Sequence, residues 1–242
     1  MKKKWMLIGS VLFCSLMMTL IDTFLQLSYG PRSLLKIMMF VIIPMMYFLK
    51  YKEDLPKVKQ LFQPKKKDFL MALGLGIAVY SIILAAYFIF RNFIDLNTIK
   101  DALLENVGVS VENFLAVAVY ISFVNSLLEE FFFRGYAFIL LKNEVKPAIA
   151  YGLSAFLFAF YHVGMTLTWF HPVIYVLAMI GLVIGGLIFN VLNDRCGQLY
   201  PSWLVHMCAN FAINVNVNIK FTNLCRQKYQ NVPNKFTSYL LS

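Results

Sequence analysis

Three short patterns lie inside strongly apolar stretches of this chain: Glu129-Glu130 followed by Arg134, Phe158 followed by His162, and His206 followed by Asn210. An ionisable side chain in hydrocarbon is costly, so it persists where it pairs with a partner or does chemistry. A carboxylate pair, two imidazoles, a guanidinium and a carboxamide are together the parts of a hydrolytic site. Glu129, desolvated, suits a general base acting on water, and His162 could hold that water or pass a proton. His206 and Asn210 are four residues apart, share a helix face, and could aim donors at a developing oxyanion. Glu130 and Arg134 have the same spacing and read first as a structural ion pair, which leaves Glu129 on a neighbouring face. Phe158 would wall the site beside His162.

A metal version uses the same residues. Glu129, His162 and His206 could give zinc three ligands and leave a fourth position for water. No HExxH is present and each ligand comes from a different helix, but these residues leave zinc open. Cys208 falls roughly opposite His206 on its helix and makes a poor nucleophile partner for it. Ser154 and Ser202 lack an obvious base and orienter. His171, in Phe170-His171-Pro172, reads as a packing residue.

These residues must be held by membrane helices. Of 242 residues, 60% are hydrophobic and 14% charged, where a soluble domain is about half apolar and a quarter charged. The mean hydropathy is +0.68. Abundant Phe and Met favour helical spans over barrel strands. The net charge of +10 invites a nucleic-acid partner. Yet the basic residues cluster in short loops beside apolar runs, as the positive-inside rule expects, and no aromatic-basic recognition module is visible. The four cysteines form no CxxC pair and imply no disulfide framework.

The expected fold is all-α: a polytopic transmembrane bundle of about seven spans around a polar intramembrane cavity. The spans are Trp5 to Leu27, Leu34 to Leu49, Phe69 to Phe90, Asn113 to Leu141, Pro147 to Val163, Pro172 to Leu192 and Leu199 to Ile219, each near the 20 or so residues a crossing needs. Met1-Lys2-Lys3-Lys4 marks a cytoplasmic start, retained rather than cleaved. Seven lysines from Lys50 through Lys67, just before Asp68, mark an inner loop suited to anionic headgroups. Asp95, Asp101, Glu105 and Glu112 suit an outer segment. Seven spans would place the tail, with Lys220, Arg226, Lys228 and Lys235, outside, against its charge. The chain then divides into N-terminal helices with a basic loop (1–112), a catalytic core (113–219) and a basic tail (220–242). At 1.5 Å per residue, Glu129 lies roughly 18 Å from the inner end of its span, His162 roughly 22 Å and His206 roughly 11 Å, close enough for one cavity. Asn210, Asn214 and Asn218 continue a polar stripe whose plainest use is interhelical hydrogen bonding.

At these residues the chain resembles the CAAX protease and bacteriocin-processing (CPBP, or Abi) family of intramembrane proteases, and is similar to the type II CAAX prenyl endopeptidases. The family pattern of EExxxR, FxxxH and HxxxN reads here as Glu129-Glu130-Phe131-Phe132-Phe133-Arg134, Phe158-Ala159-Phe160-Tyr161-His162 and His206-Met207-Cys208-Ala209-Asn210. The likeness covers about 113 to 211. It implies Glu129 as the water-activating base, His162 as its assistant, His206 and Asn210 as the oxyanion hole, and Glu130 and Arg134 as support. The family has been grouped with the metalloproteases, yet the resemblance also accommodates a metal-free glutamate mechanism, which is preferred here, with zinc as the alternative. The implied protein is a multi-pass bacterial plasma-membrane endopeptidase. Its partners would be the bilayer and a peptide or membrane-protein substrate: a small secreted precursor such as a bacteriocin or signalling peptide, or a CAAX-like chain. The rival from another class is a non-enzymatic membrane immunity or scaffold protein. A transporter or proton relay ranks below both, because no inverted repeat appears.

Overall fold

A computed structural model describes residues 2–25, 27–93, 113–167 and 170–230. The acids Asp95, Asp101, Glu105 and Glu112, and the tail from 231 onward with Lys235, lie outside the described residues, as does the side chain of Asn218. The described chain is an all-α bundle without strands. Its elements are α1 (Lys2–Phe24), α2 (Tyr29–Lys50), a short α3 (Leu55–Gln60), α4 (Lys66–Phe90), α5 (Phe114–Lys142), α6 (Pro147–Thr166), α7 (Pro172–Cys196) and α8 (Tyr200–Gln230).

Six of these, α1, α2, α4, α5, α6 and α7, are long and apolar enough to cross a membrane. The stretch expected as a seventh span is helical, as α8, but it is not among the six, since His206, Asn210 and Asn214 make it more polar. It runs along α4 at close range: a Cβ built on Gly76 would stand 2.8 Å from Cys208 Sγ, so glycine is what lets the two helices touch.

Local chemistry explains the helix ends and their irregular turns. Pro147 and Pro172 open α6 and α7, where a missing N–H is no loss. Gly197, with φ +60°, closes α7 in the left-handed region, and its N–H donates to Asn193 O. Lys65 Nζ donates to Cys196 O at 3.1 Å, capping the same end. In α2 the turn Met38–Ile42 is widened to a π-helix. Pro44 cannot donate to the carbonyl of Phe40, and the wide turn lies over that lost bond. In α5, Ile121–Asn125 and Glu130–Phe138 are also π-helical, and such turns concentrate at functional sites.

The core is aromatic. Phe40 stacks on Phe132 at 4.0 Å, and Phe133 meets Phe158 edge-on at 5.4 Å. Between helices, small and polar side chains add hydrogen bonds: Ser154 donates to Phe133 O and to Asn190 Oδ1, and Asn193 donates to Ser202 Oγ at 2.6 Å. Each such bond is worth about 0.6 kcal/mol on average in a membrane, so packing carries more of the association. Asn210 and Asn214 on α8 donate to Ile121 O and Ser122 Oγ on α5, both at 3.3 Å, as expected of an interhelical stripe.

One end of the bundle gathers the basic loops. Lys3 Nζ contacts Asp54 at 2.8 Å, Glu53 at 3.3 Å and Glu144 at 3.5 Å, joining the N-terminus, the 51–65 loop and the turn between α5 and α6. Lys142 pairs with Asp194, which brings the end of α7 to the same face. Asp54 is buried there. Burial alone would raise its carboxyl, but hydrogen bonds from Lys3, Tyr47 and Lys57 hold it below the usual carboxylate range.

Candidate active site

The patterns on α5, α6 and α8 meet at one point. Glu129, on the turn that opens the wide π-helical stretch of α5, turns its Oε2 toward two imidazoles. His206 Nε2 lies 3.7 Å away and His162 Nε2 4.0 Å away. Neither is a direct hydrogen bond, and a polar gap of this width is spanned by one bridging oxygen. The other oxygen is saturated. Glu129 Oε1 accepts from Asn125 Nδ2 at 2.8 Å, Tyr161 Oη at 2.9 Å and Lys36 Nζ at 3.2 Å.

The two rings are oriented from behind. His162 Nδ1 lies 2.7 Å from Phe158 O, and His206 Nδ1 lies 3.0 Å from Glu130 Oε1. Carbonyl and carboxylate only accept, so each Nδ1 carries the proton. In the neutral rings, both Nε2 lone pairs then face Glu129 Oε2.

Glu130 and Arg134 form the expected pair, Nη1 to Oε1 at 3.1 Å, fully buried. The guanidinium lies between two rings, 4.1 Å from the centroid of Phe158 and 4.8 Å from that of Phe189. Desolvated cation–π contacts of this kind are worth about 2 kcal/mol or more. Phe158 also meets His162 at 4.9 Å and His206 at 5.7 Å, so it walls the site as its spacing predicts. Phe189, which the sequence does not single out, stacks on His206 at 5.1 Å.

Asn210 stands apart from this convergence. It lies one turn from His206, but its carboxamide N–H is directed at Ile121 O. Among the described residues, no group of three His, Cys, Asp or Glu side chains is placed to hold a metal ion. Glu129 Oε2 lies 3.7 and 4.0 Å from the two Nε2 atoms, against the roughly 3.4 Å between ligand atoms implied by tetrahedral zinc with bonds near 2.05 Å.

Three contributors escape a reading of the motifs alone. Lys36 sits in the apolar run Leu34 to Leu49, and the rule that flags the glutamates applies to it equally. Asn125 precedes Glu129 by four residues, the spacing that puts two side chains on one face. Tyr161, in a Phe-rich stretch, looks like packing, and nothing in the sequence shows its hydroxyl pointing inward. A further buried pair, Asp22 on α1 with Arg32 on α2 at 3.1 Å, escapes it as well.

No curated protein matches the chain significantly, and no solved structure does. Residues 111–212 match the family model described as type II CAAX prenyl endopeptidase Rce1-like, a range that holds Glu129, His162, His206 and Asn210. Over residues 111–212, therefore, this chain, with six helices long and apolar enough to cross a membrane, is similar to the Rce1-like type II CAAX prenyl endopeptidases.

Proposed function

We propose that the chain is an intramembrane endopeptidase that hydrolyses a peptide bond with water activated by Glu129, without a metal. The observation that carries this reading is the division of labour on one carboxylate: Oε1 is saturated, while Oε2 faces the Nε2 atoms of both His162 and His206. A water held there donates one proton toward Glu129 Oε2 and the other toward an Nε2 lone pair, which aims its own lone pair at a substrate carbonyl.

In the reaction, Glu129 takes the water proton as the new C–O bond forms. The carbonyl oxygen becomes an oxyanion. His206 enters the cycle protonated on both nitrogens, its Nδ1–H held by Glu130, and donates Nε2–H to the oxyanion, while His162 stays neutral and its Nε2 lone pair holds the water. Collapse breaks the C–N bond, and Glu129 returns its proton to the leaving amine. Asn210 is the second oxyanion donor in this reading, reached when its 3.3 Å bond to Ile121 O is released. Glu130 and Arg134 are positioning residues behind His206.

The substrate class proposed is a small secreted precursor, a bacteriocin or signalling peptide, or a CAAX-like chain. The protein would sit in a bacterial plasma membrane with its N-terminus in the cytoplasm. In support, Lys3, the lysine-rich 51–65 loop, Lys142 and the end of α7 share one face, as the positive-inside rule expects of the cytoplasmic side. The test compares membrane and secreted peptides from cells carrying wild type or Glu129→Ala, then incubates the differing peptide with purified protein in proteoliposomes. Cleavage by wild type alone is expected. Identical peptide profiles, or cleavage by Glu129→Ala, would reject the reading.

The scaffold or immunity reading has one observation on its side: polar groups as densely bonded as those on Glu129 Oε1 also hold helices together. It differs in expecting Glu129→Gln to remain functional.

A further inference from the structure

We infer that Lys36 is a positioning residue of the catalytic centre, supplied by a helix outside the matched domain, which fixes which oxygen of Glu129 meets water. This rests on the protease reading above. Lys36 lies on α2, far upstream of residue 111 where the family match begins. Its ammonium donates to Glu129 Oε1 at 3.2 Å and to Asn125 Oδ1 at 2.6 Å, and it stands 4.8 Å from the ring centroid of Tyr161. Its side chain is only 12% exposed.

Each of these contacts serves the same oxygen. Asn125 Oδ1 accepts from Lys36, which turns the Asn125 amide so that Nδ2 donates to Glu129 Oε1. Tyr161 donates to that oxygen as well, its ring lying beneath the Lys36 ammonium. A carboxylate has two chemically equal oxygens and can rotate to exchange them. Three donors on one oxygen remove that freedom and leave Oε2 to the two imidazoles. Lys36 also supplies a positive charge beside Glu129 in a medium where an uncompensated carboxylate is costly. An ammonium with three N–H donors on a flexible stem can serve Asn125 and Glu129 at once, which an apolar side chain of similar length cannot.

The α2 backbone is fixed at this point from several sides. Arg32, one turn before Lys36, is paired with Asp22 of α1. Phe40, one turn after it, stacks on Phe132 of α5. The ammonium is thus delivered by a braced segment rather than a mobile side chain at a helix end, so the site is incomplete without the N-terminal hairpin.

The test uses full-length protein in proteoliposomes and a quenched-fluorescent peptide spanning the cleavage site found in the peptide comparison. Lys36→Met should lower kcat about 10- to 100-fold, the range for a misplaced catalytic group, with KM changed by less than about twofold. Lys36→Ala should regain activity saturably with added ethylammonium, whereas Lys36→Met, which fills the space, should not respond. A purely structural lysine would lower the melting temperature without a rate that depends on the amine. If Lys36→Met does not fold, Lys36→Gln carries the same comparison, keeping a donor and losing the charge. Wild-type kcat in either folded variant, or no rescue of Lys36→Ala by the amine, overturns the inference. Glu129→Ala in the same assay separates the two proposals. If it still cleaves, the protease reading fails; if it is dead while Lys36→Met is fully active, only the role of Lys36 fails.

Discussion

Glu130 holds the Nδ1 side of His206 at 3.0 Å, while Glu129 faces its Nε2 side at 3.7 Å. Adjacent residues on a regular helix point about 100° apart, so two neighbouring carboxylates reaching opposite edges of one ring requires the ring to lie between them. Replacing Glu130 therefore has two effects. Glu130→Ala releases the ring and strands the buried Arg134 guanidinium. Breaking a buried pair by removing one partner costs about 3–5 kcal/mol, so its thermal unfolding in detergent should move clearly downward along with activity.

Glu129→Gln separates chemistry from structure. The amide keeps the shape and an acceptor oxygen but cannot take a proton. The expected loss in cleavage rate is about 10²- to 10⁴-fold, the usual worth of a positioned base. The protein should still insert and run as a monodisperse species in size-exclusion chromatography. Unchanged function would favour the scaffold.

Asn210 and His206 should differ in degree. If Asn210 swings to the oxyanion, Asn210→Ala should lower kcat about 10²- to 10³-fold, as loss of an oxyanion donor does. A loss under about tenfold would confine Asn210 to pinning α8 against α5, where one membrane hydrogen bond is worth about 0.6 kcal/mol. His206→Ala should abolish cleavage in either case. Parallel kcat values for the two variants decide the point.

Metal dependence has its own experiment. Purified protein should contain metal well below one equivalent by elemental mass spectrometry, and 1,10-phenanthroline should leave its rate unchanged. Stoichiometric zinc, with activity lost on chelation and regained on zinc addition, would replace the glutamate-only mechanism with the three-ligand one.

Asp54 predicts a pH dependence of stability. Its carboxyl is held below the ordinary value of 3.8 in the folded protein by Lys3, Tyr47 and Lys57. The folded state then binds fewer protons there than the unfolded state, so its stabilisation is present above 3.8 and lost as pH falls through the lower folded value. Melting temperature should drop on acidification in that window. Asp54→Asn should start lower and lose less there.

Much of this site is legible in the sequence because charge in hydrocarbon is conspicuous. Glu129, Glu130, Arg134, His162 and His206 stand out from their apolar neighbours, and helical spacing correctly pairs Glu130 with Arg134. The same principle, applied evenly, reaches Lys36, Asp22 and Arg32. They are less conspicuous because they lie near the ends of spans, where long side chains usually reach the interface. The π-helical stretch Glu130–Phe138 has no comparable signature: no proline lies within it. The polarity of α8 has the opposite lesson. The residues that draw attention to this helix are those that keep it from looking like a span.

The ring of Phe158 lies against Arg134 and both histidines at once. One side chain that neither gains nor loses a proton therefore braces a guanidinium and two imidazoles together. Charges on Glu129 and His206 can alternate through the proposed cycle while that brace stays as it was, so the pocket would emerge from one turnover already shaped for the next.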